Sequence, residues 1–270
     1  MEIVALTWNL FNGRDHPPDP GLSTRRSQLL RRTEQNDTHL QVNRDLLAEF
    51  TAVLEAAEWD LALLQECPPR WAASLARSCR AEMHRSLTAR NWLAPVRAAL
   101  ARQNPDLLGS WGGGSNLTLL REPLGEPIVA RHELMLRRWP ERRKVAFTRT
   151  QSGICVANLH ASGARQLAEA DVRRAAEGAI AWAGAEPLIF GGDLNLRPRQ
   201  TNLYDELADR FGLAAPTAPD AIDHVLARGF EAAKPPRAWP PEAREVQSEG
   251  LAIRLSDHAP VEARFRLVAD

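Results

Sequence analysis

Nine polar residues spread along the chain share one property: each stands at or just beyond an end of a short, mostly apolar run. They are Asn9 (TWNL), Glu66 (LLQEC), Asn158 and His160 (ANLHAS), Asp193 and Asn195 (GGDLN), Asp223 (IDHV), and Asp257 with His258 (SDHAPV). Only carboxylates, amides and imidazoles are present. That mixture suits phosphoryl chemistry: acid and amide oxygens hold a hard cation such as Mg²⁺ or Mn²⁺, while His and Asp manage protons and the charge on phosphate. Each residue alone also has a plainer reading. Glu66 fits a strand-end ion pair, GGDLN fits an Asx-turn after a strand, and a histidine two residues before Pro260 fits a structural turn.

The elements that must position these residues are legible as patterns. Runs 3–8, 61–65, 153–159 and 187–190 are short, apolar and bounded by polar or glycine residues, as strands buried on both faces are. Segments 43–57 and 165–183 carry apolar residues at three-to-four spacing and read as amphipathic helices. Residues 261–268 alternate apolar with charged and read as a strand with one wet face. Two stretches read as loops: 12–39, rich in Pro, Asp and Arg, and 234–250, with four prolines. Gly112, Gly113, Gly114 and Ser115 form a turn before a strand-like NLTLL and lack the Lys-Ser/Thr of a phosphate-binding P-loop. Helices alternating with buried strands place the chain in the α/β class, and no internal repeat is seen.

Taken in order and at this spacing, the motifs resemble the endonuclease/exonuclease/phosphatase superfamily, with its deoxyribonuclease-like fold, over nearly the whole length. The resemblance implies one catalytic domain over 1–270, built as a four-layer α/β sandwich of two mixed sheets packed face to face and flanked by helices. It implies Glu66 as principal metal ligand, with Asn9 and Asp257 completing the coordination of Mg²⁺ or Mn²⁺. Asp193 then activates or orients water, Asn195 binds a phosphate oxygen, and His258 meets the scissile phosphate with its imidazole held by Asp223. His160 resembles the histidine of the deoxyribonuclease, sphingomyelinase, deadenylase and phosphatase branches. The lone tyrosine, Tyr204, follows GDLN, which speaks against the abasic-site repair branch. Between Cys67 and Asn116 no carboxylate partner for His160 is identifiable, and His224 is expected to be bland.

The substrate is less legible because specificity in such folds resides in loops. Arg25, Arg26, Arg31 and Arg32 follow Asn9 and are candidates for binding phosphates, or else a solvated face balanced by Glu34 and Asp37. Asn158 is grouped with them as a substrate-binding candidate. A second cluster, Arg137, Arg138, Arg142, Arg143 and Lys144 around Trp139, either tracks a backbone or decorates a hairpin. Among eight tryptophans, an exposed Trp92, Trp111 or Trp239 could stack on a base or insert into lipid headgroups.

Composition bounds the rest. Lys+Arg 34 balances Asp+Glu 34, so no global positive field draws in nucleic acid. Three isolated cysteines indicate neither a disulfide framework nor a zinc knuckle. The first residues do not resemble a secretory signal and no run spans a bilayer. The expectation is a cytoplasmic enzyme without membrane anchor or obligate protein partner. Its expected reaction is metal-dependent hydrolysis of phosphodiesters, with DNA or RNA as the expected substrate. A phosphomonoesterase or phosphodiesterase acting on inositol phosphates, sphingolipid headgroups or another small ester is the nearest rival, and an inactive scaffold the rival of another class.

Overall fold

A computed structural model describes residues 1–88, 94–122, 124, 127–214 and 217–268; Trp92 lies outside them. The described strands are, in chain order, β1 (Glu2–Asn9), β2 (Glu34–Gln35), β3 (Leu40–Gln41), β4 (Leu61–Cys67), β5 (Glu82–Leu87), β6 (Ser115–Leu120), β7 (Ile128–Arg137) and β8 (Arg143–Thr150). They continue with β9 (Cys155–His160), β10 (Leu188–Asp193), β11 (Asp223–Arg228), β12 (Phe230–Ala238), β13 (Glu245–Ser248), β14 (Leu251–Arg254) and β15 (Val261–Leu267). One sheet runs β12-β15-β1-β4-β6-β5 and the other β11-β10-β9-β8-β7. Both are mixed, with β1 parallel to β4 and β9 parallel to β10.

Three apolar layers separate these sheets and their helices. Ile3, Leu61, Leu63, Val156, Ile189, Val225 and Phe265 pack between the sheets. On β1 the alternate residues Leu6 and Trp8 turn the other way, against Phe50 and Leu54 of helix Leu47–Ala56 and Leu75 of helix Ala72–Ser78. Helix Arg165–Ala183 presents Ala168, Val172, Ala175 and Ala179 to the outer face of the second sheet, with Leu203 and Leu207 of helix Leu203–Phe211. The expected four-layer sandwich of two mixed sheets is what forms.

Segment 234–250 departs from its loop reading. Despite two prolines, β12 pairs with β15, with register shifts at Ala232/Lys234 and Lys234/Arg237. It is the edge of its sheet, where a missing N–H and an irregular register are tolerated. Loop 12–39, by contrast, contains only short pieces, the longest being helix Arg25–Leu30.

Glycines decide how closely the strands meet under the site. Gly192 has φ +139, and a Cβ there would lie 1.8 Å from the Leu159 carbonyl oxygen; at Gly191 it would lie 2.7 Å from that of His224. Strand β10, squeezed between β9 and β11, therefore requires both glycines of GGD.

The sheets are also bridged by polar pairs, and one of them makes stability depend on pH. His84 of edge strand β5 is 6% exposed, with Nδ1 2.9 Å from Thr148 Oγ1 on β8 of the opposite sheet. Burial pushes this imidazole down to about 4. Between there and the ordinary histidine value the unfolded chain takes up a proton that the folded chain refuses, so stability falls as pH falls through that window. Asp15, pushed up to about 7 by burial, works in the opposite sense. The readable quantity is thus a difference: the His84→Gln variant should lose up to about 3 kcal/mol less than wild type between pH 6.5 and 4 in denaturant melts. Parallel profiles would show that His84 is not the acid-sensitive contact.

Candidate active site

Strand register brings the predicted residues to one end of the sandwich. In the second sheet Asp193 is paired with His160 on one side and Asp223 on the other, so three site residues stand in one row. In the first sheet Asn9 lies beside Gln65, the neighbour of Glu66, and the chain entering β15 brings in Asp257 and His258. Parallel β1/β4 and β9/β10 end at the same edge, and antiparallel β11 and β15 begin there.

Asp193, 1% exposed, is the hub. Its Oδ2 accepts from Asn9 Nδ2 at 2.9 Å and lies 3.4 Å from His160 Nε2 and 4.0 Å from His258 Nε2. Its Oδ1 accepts from the Asn195 amide at 3.0 Å, while Asn195 Nδ2 donates to Ala161 O at 3.1 Å. Burial first, then the charge of Asp223, pushes the Asp193 carboxyl up, against His258 and the donors Asn9 and Asn195.

The second pair is His258 with Asp223, Nδ1 to Oδ2 2.7 Å. Burial disfavours the imidazolium, but the Asp223 hydrogen bond and charge, with Asp193 and Asp257 behind, outweigh it and push the ring up to about 10. His258 is therefore a cation at neutral pH. Its backbone is locked as well. Ser256 Oγ donates to Asn9 O at 2.6 Å and accepts from the His258 amide at 3.0 Å, and Trp8 Nε1 and Arg244 Nη1 both donate to His258 O at 3.0 Å. His160 is the opposite case: burial, then the charges of Arg143 and His258, hold it well below the ordinary value and so neutral.

Glu66 is aimed by a bulge. The β4/β6 register shifts between Leu64 and Cys67, and Glu66 has φ +48. Phe11, Asn12, Asn195 and Ser256 share that left-handed conformation, so five of the eight such non-glycine residues described surround this edge. Strained backbone of this kind persists where the surroundings over-determine it. Glu66 accepts from Asn12 Nδ2. Burial, then Asp257, raises its carboxyl, while Arg14, Arg143 and His258 lower it.

These donors fit a divalent cation. Glu66 and Asp257 repel each other in a site that burial makes unfavourable for either charge, and oxygen is what a hard cation takes. Asp193, Asp223 and His258 also offer three ligand atoms within 4.8 Å of one another. A protonated His258 engaged with Asp223 is a poor ligand, so the Glu66 side suits the cation better. The Asn9 amide is already used, its Oδ1 accepting from the Phe11 amide at 2.9 Å, so ligation there means sharing that oxygen.

Two expectations fare differently. Asn158 is fully buried between the sheets, its Oδ1 accepting from Gln65 Nε2 at 2.9 Å and its Nδ2 donating to Leu117 O at 3.1 Å. With its amide spent and no surface, it does not bind substrate. Instead it ties the strand of His160 to that of Glu66. Arg25, Arg26, Arg31 and Arg32 are exposed on and after the short helix, with no described contact to the site. His224 is buried and accepts from the Thr217 amide through Nδ1, a structural role as expected. Among the described carboxylates only Asp193 lies within ion-pair distance of His160.

Reading the chain missed Asn12 and Arg14, and named Arg143 only as one of the second basic cluster, without singling it out. Arg14 lies over the Phe11 ring and its charge acts on Glu66 and Asp257. Asn12 and Arg14 stand in NLFNGR just past Asn9, which was their one signal; Arg143 was hidden in a basic run.

Similarity to known proteins agrees with this geometry. A structure of an endonuclease/exonuclease/phosphatase family protein from Bacteroides thetaiotaomicron superposes with TM-score 0.64 at 13% identity, covering 100% of this chain and 99% of that one. A mannosyl-6-phosphatase from the same species gives 0.63 at 14%, covering 99% and 100%. Truncated TDP2 of Caenorhabditis elegans gives 0.58 at 16%, covering 98% and 97%. At such identities these likenesses establish the fold. No curated protein matches by sequence. The model of the Endonuclease/Exonuclease/phosphatase family matches residues 6–258, and the chain therefore belongs to that family of phosphoesterase hydrolases.

Proposed function

We propose that the protein is a divalent-cation-dependent phosphodiesterase acting on nucleic acid, working as one catalytic domain in the cytoplasm. The observation that carries the hydrolytic part is the pairing of a buried Asp223 with a cationic His258 at 2.7 Å, set 4.0 Å from Asp193. In this reading Asp193 takes a proton from water, His258 stabilises charge on the phosphate, and neutral His160 and Asn195 orient phosphate oxygens. Glu66, with Asp257 and Asn9, would hold Mg²⁺ or Mn²⁺, which supplies charge neutralisation at the phosphate. Among the described residues no helix is long and apolar enough to cross a membrane. The three cysteines are buried and unpaired, in keeping with a reducing compartment.

Nucleic acid is favoured by Arg143 beside the site, with the exposed Arg25, Arg26, Arg31 and Arg32 as further cations away from it that a long polyanion could reach. A small phosphate ester is the second reading, since a protein of this fold is a mannosyl-6-phosphatase and this chain has no net charge.

The test is turnover of DNA, RNA, an inositol polyphosphate and a chromogenic phosphodiester with Mg²⁺ or Mn²⁺, repeated in EDTA. Diester cleavage that EDTA abolishes is expected; full activity in chelator after exhaustive dialysis would remove the metal. Binding of duplex DNA by the Asp193→Asn variant should fall with a log–log salt slope of roughly −3 if three or four phosphates are held. That slope should shrink when the four arginines become alanine. No binding at low salt would favour the small-ester reading.

A further inference from the structure

We propose that the turn joining β7 to β8 is a nucleotide-binding subsite beside the hydrolytic centre. In it Trp139 stacks on a base and Arg143 holds the phosphate next to that base. The proposal rests on the phosphodiesterase reading above and narrows its substrate to a strand that continues beyond the cut bond.

The turn stands over a cavity of about 490 Å³ whose lining includes Thr88, Ser110, Arg138, Trp139, Glu141 and Arg143. Trp139 is 79% exposed, more than Trp111 at 54%. A hairpin connection needs Gly, Asn, Asp or Pro, not an indole, and leaving so large an apolar ring in water forgoes the gain of burying it. A planar partner would recover that gain. The neighbouring basic residues divide by what they touch. Arg137 is tied to Asp171 of helix Arg165–Ala183 and holds the hairpin to the fold, while Lys144 pairs with Glu133 across the hairpin itself.

Arg143 instead connects the cavity to the reaction centre. It pairs with Glu141 on the cavity side, its charge acts on Glu66 and His160 on the other, and its buried Nε has no hydrogen-bond partner. A guanidinium carries five donors in a fixed fork, and Glu141 leaves some of them for a phosphate oxygen. An aromatic face beside an arginine fork is how single strands are gripped without base-specific hydrogen bonds. Beside the indole and Pro140 the lining carries the hydroxyls of Thr88 and Ser110 and the charges of Arg138 and Glu141, which suits a partner with both a ring and charge, and a lone phosphate would leave the indole uncovered.

The experiment compares a dinucleotide with analogues in which either base in turn is replaced by hydrogen on the sugar. Wild type should prefer the base-bearing form in kcat/KM by roughly tenfold on the side that occupies the turn. Trp139→Ala should collapse that ratio toward one and Trp139→Phe should keep most of it. Arg143→Gln should raise KM for base-bearing and base-free forms alike. A misfolded variant would lose all substrates together and leave the ratio unchanged. A second readout is dinucleotide quenching of tryptophan fluorescence in the Asp193→Asn background, compared with and without Trp139. Turnover whose base preference ignores Trp139 overturns the subsite. Trp139-dependent quenching without turnover of any diester overturns the phosphodiesterase reading and leaves the subsite standing.

Discussion

Replacing Asp223 by asparagine is expected to lower turnover of a phosphodiester by about 10⁴-fold without unfolding the protein, by analogy with acids that orient a catalytic imidazole. Asp223 Oδ2 lies 2.7 Å from His258 Nδ1, and together with its charge it keeps a buried imidazole protonated against desolvation. An amide of the same shape offers no charge. It also can donate to Nδ1 instead of accepting from it, leaving the ring in the wrong tautomer. The fold should tolerate the change. Asp223 Oδ1 has no hydrogen-bond partner, and the charge of Asp223 is one of the two causes that raise Asp193, so removing it relieves a buried repulsion. Thermal melts should therefore show a folded protein, its Tm lowered by loss of the charged pair with His258 and partly compensated by that relief, while kcat collapses. A near-normal kcat would take the pair out of the chemistry and leave His258 as a structural residue of the turn before β15.

How much of this was legible follows from what surrounds each residue. Asn9, Glu66, Asp193 and His258 could be read because each sits where a buried strand ends or begins, and a polar group next to an apolar run needs a reason. Their convergence was carried by the family resemblance, since nothing in a linear pattern says that β9 lies beside β10 or that β11 returns antiparallel. Asn158 misled for the same reason. It has the type and spacing of a site residue, two before His160, yet lies deep enough to meet Gln65 of the opposite sheet. Edge strand β12 was obscured by its prolines, which argue against a strand only when both neighbours are present. Arg143 carried no local signal, because five basic side chains within eight residues read alike until ion pairs such as Arg137–Asp171 and Lys144–Glu133 separate the structural ones.

Glu66→Gln is expected to abolish metal-dependent turnover, a loss of at least about 10³-fold, while leaving the metal-free protein as stable as before or more so. The side chains share one shape, so the bulge and the left-handed backbone at φ +48 are met equally well by either. Only the charge differs. In the metal-free protein that charge is a liability, since burial and Asp257 both work against it. With a cation bound it becomes the reason to bind. Saturating Mg²⁺ or Mn²⁺ stabilises whatever state binds it, by about 2.7 kcal/mol at a hundredfold excess over Kd. Wild type should therefore melt several degrees higher with metal than in EDTA, and Glu66→Gln should show almost none of that rise. Calorimetric titration should show the same loss of affinity. If Glu66→Gln kept a full metal-dependent rise in Tm, the cation would have to sit elsewhere, and Asp193, Asp223 and His258 offer the other donor set within 4.8 Å. Asp223→Asn would then lose metal affinity along with turnover, whereas a cation held by Glu66 leaves that affinity nearly intact. The two variants read together thus decide which side of the edge carries the ion.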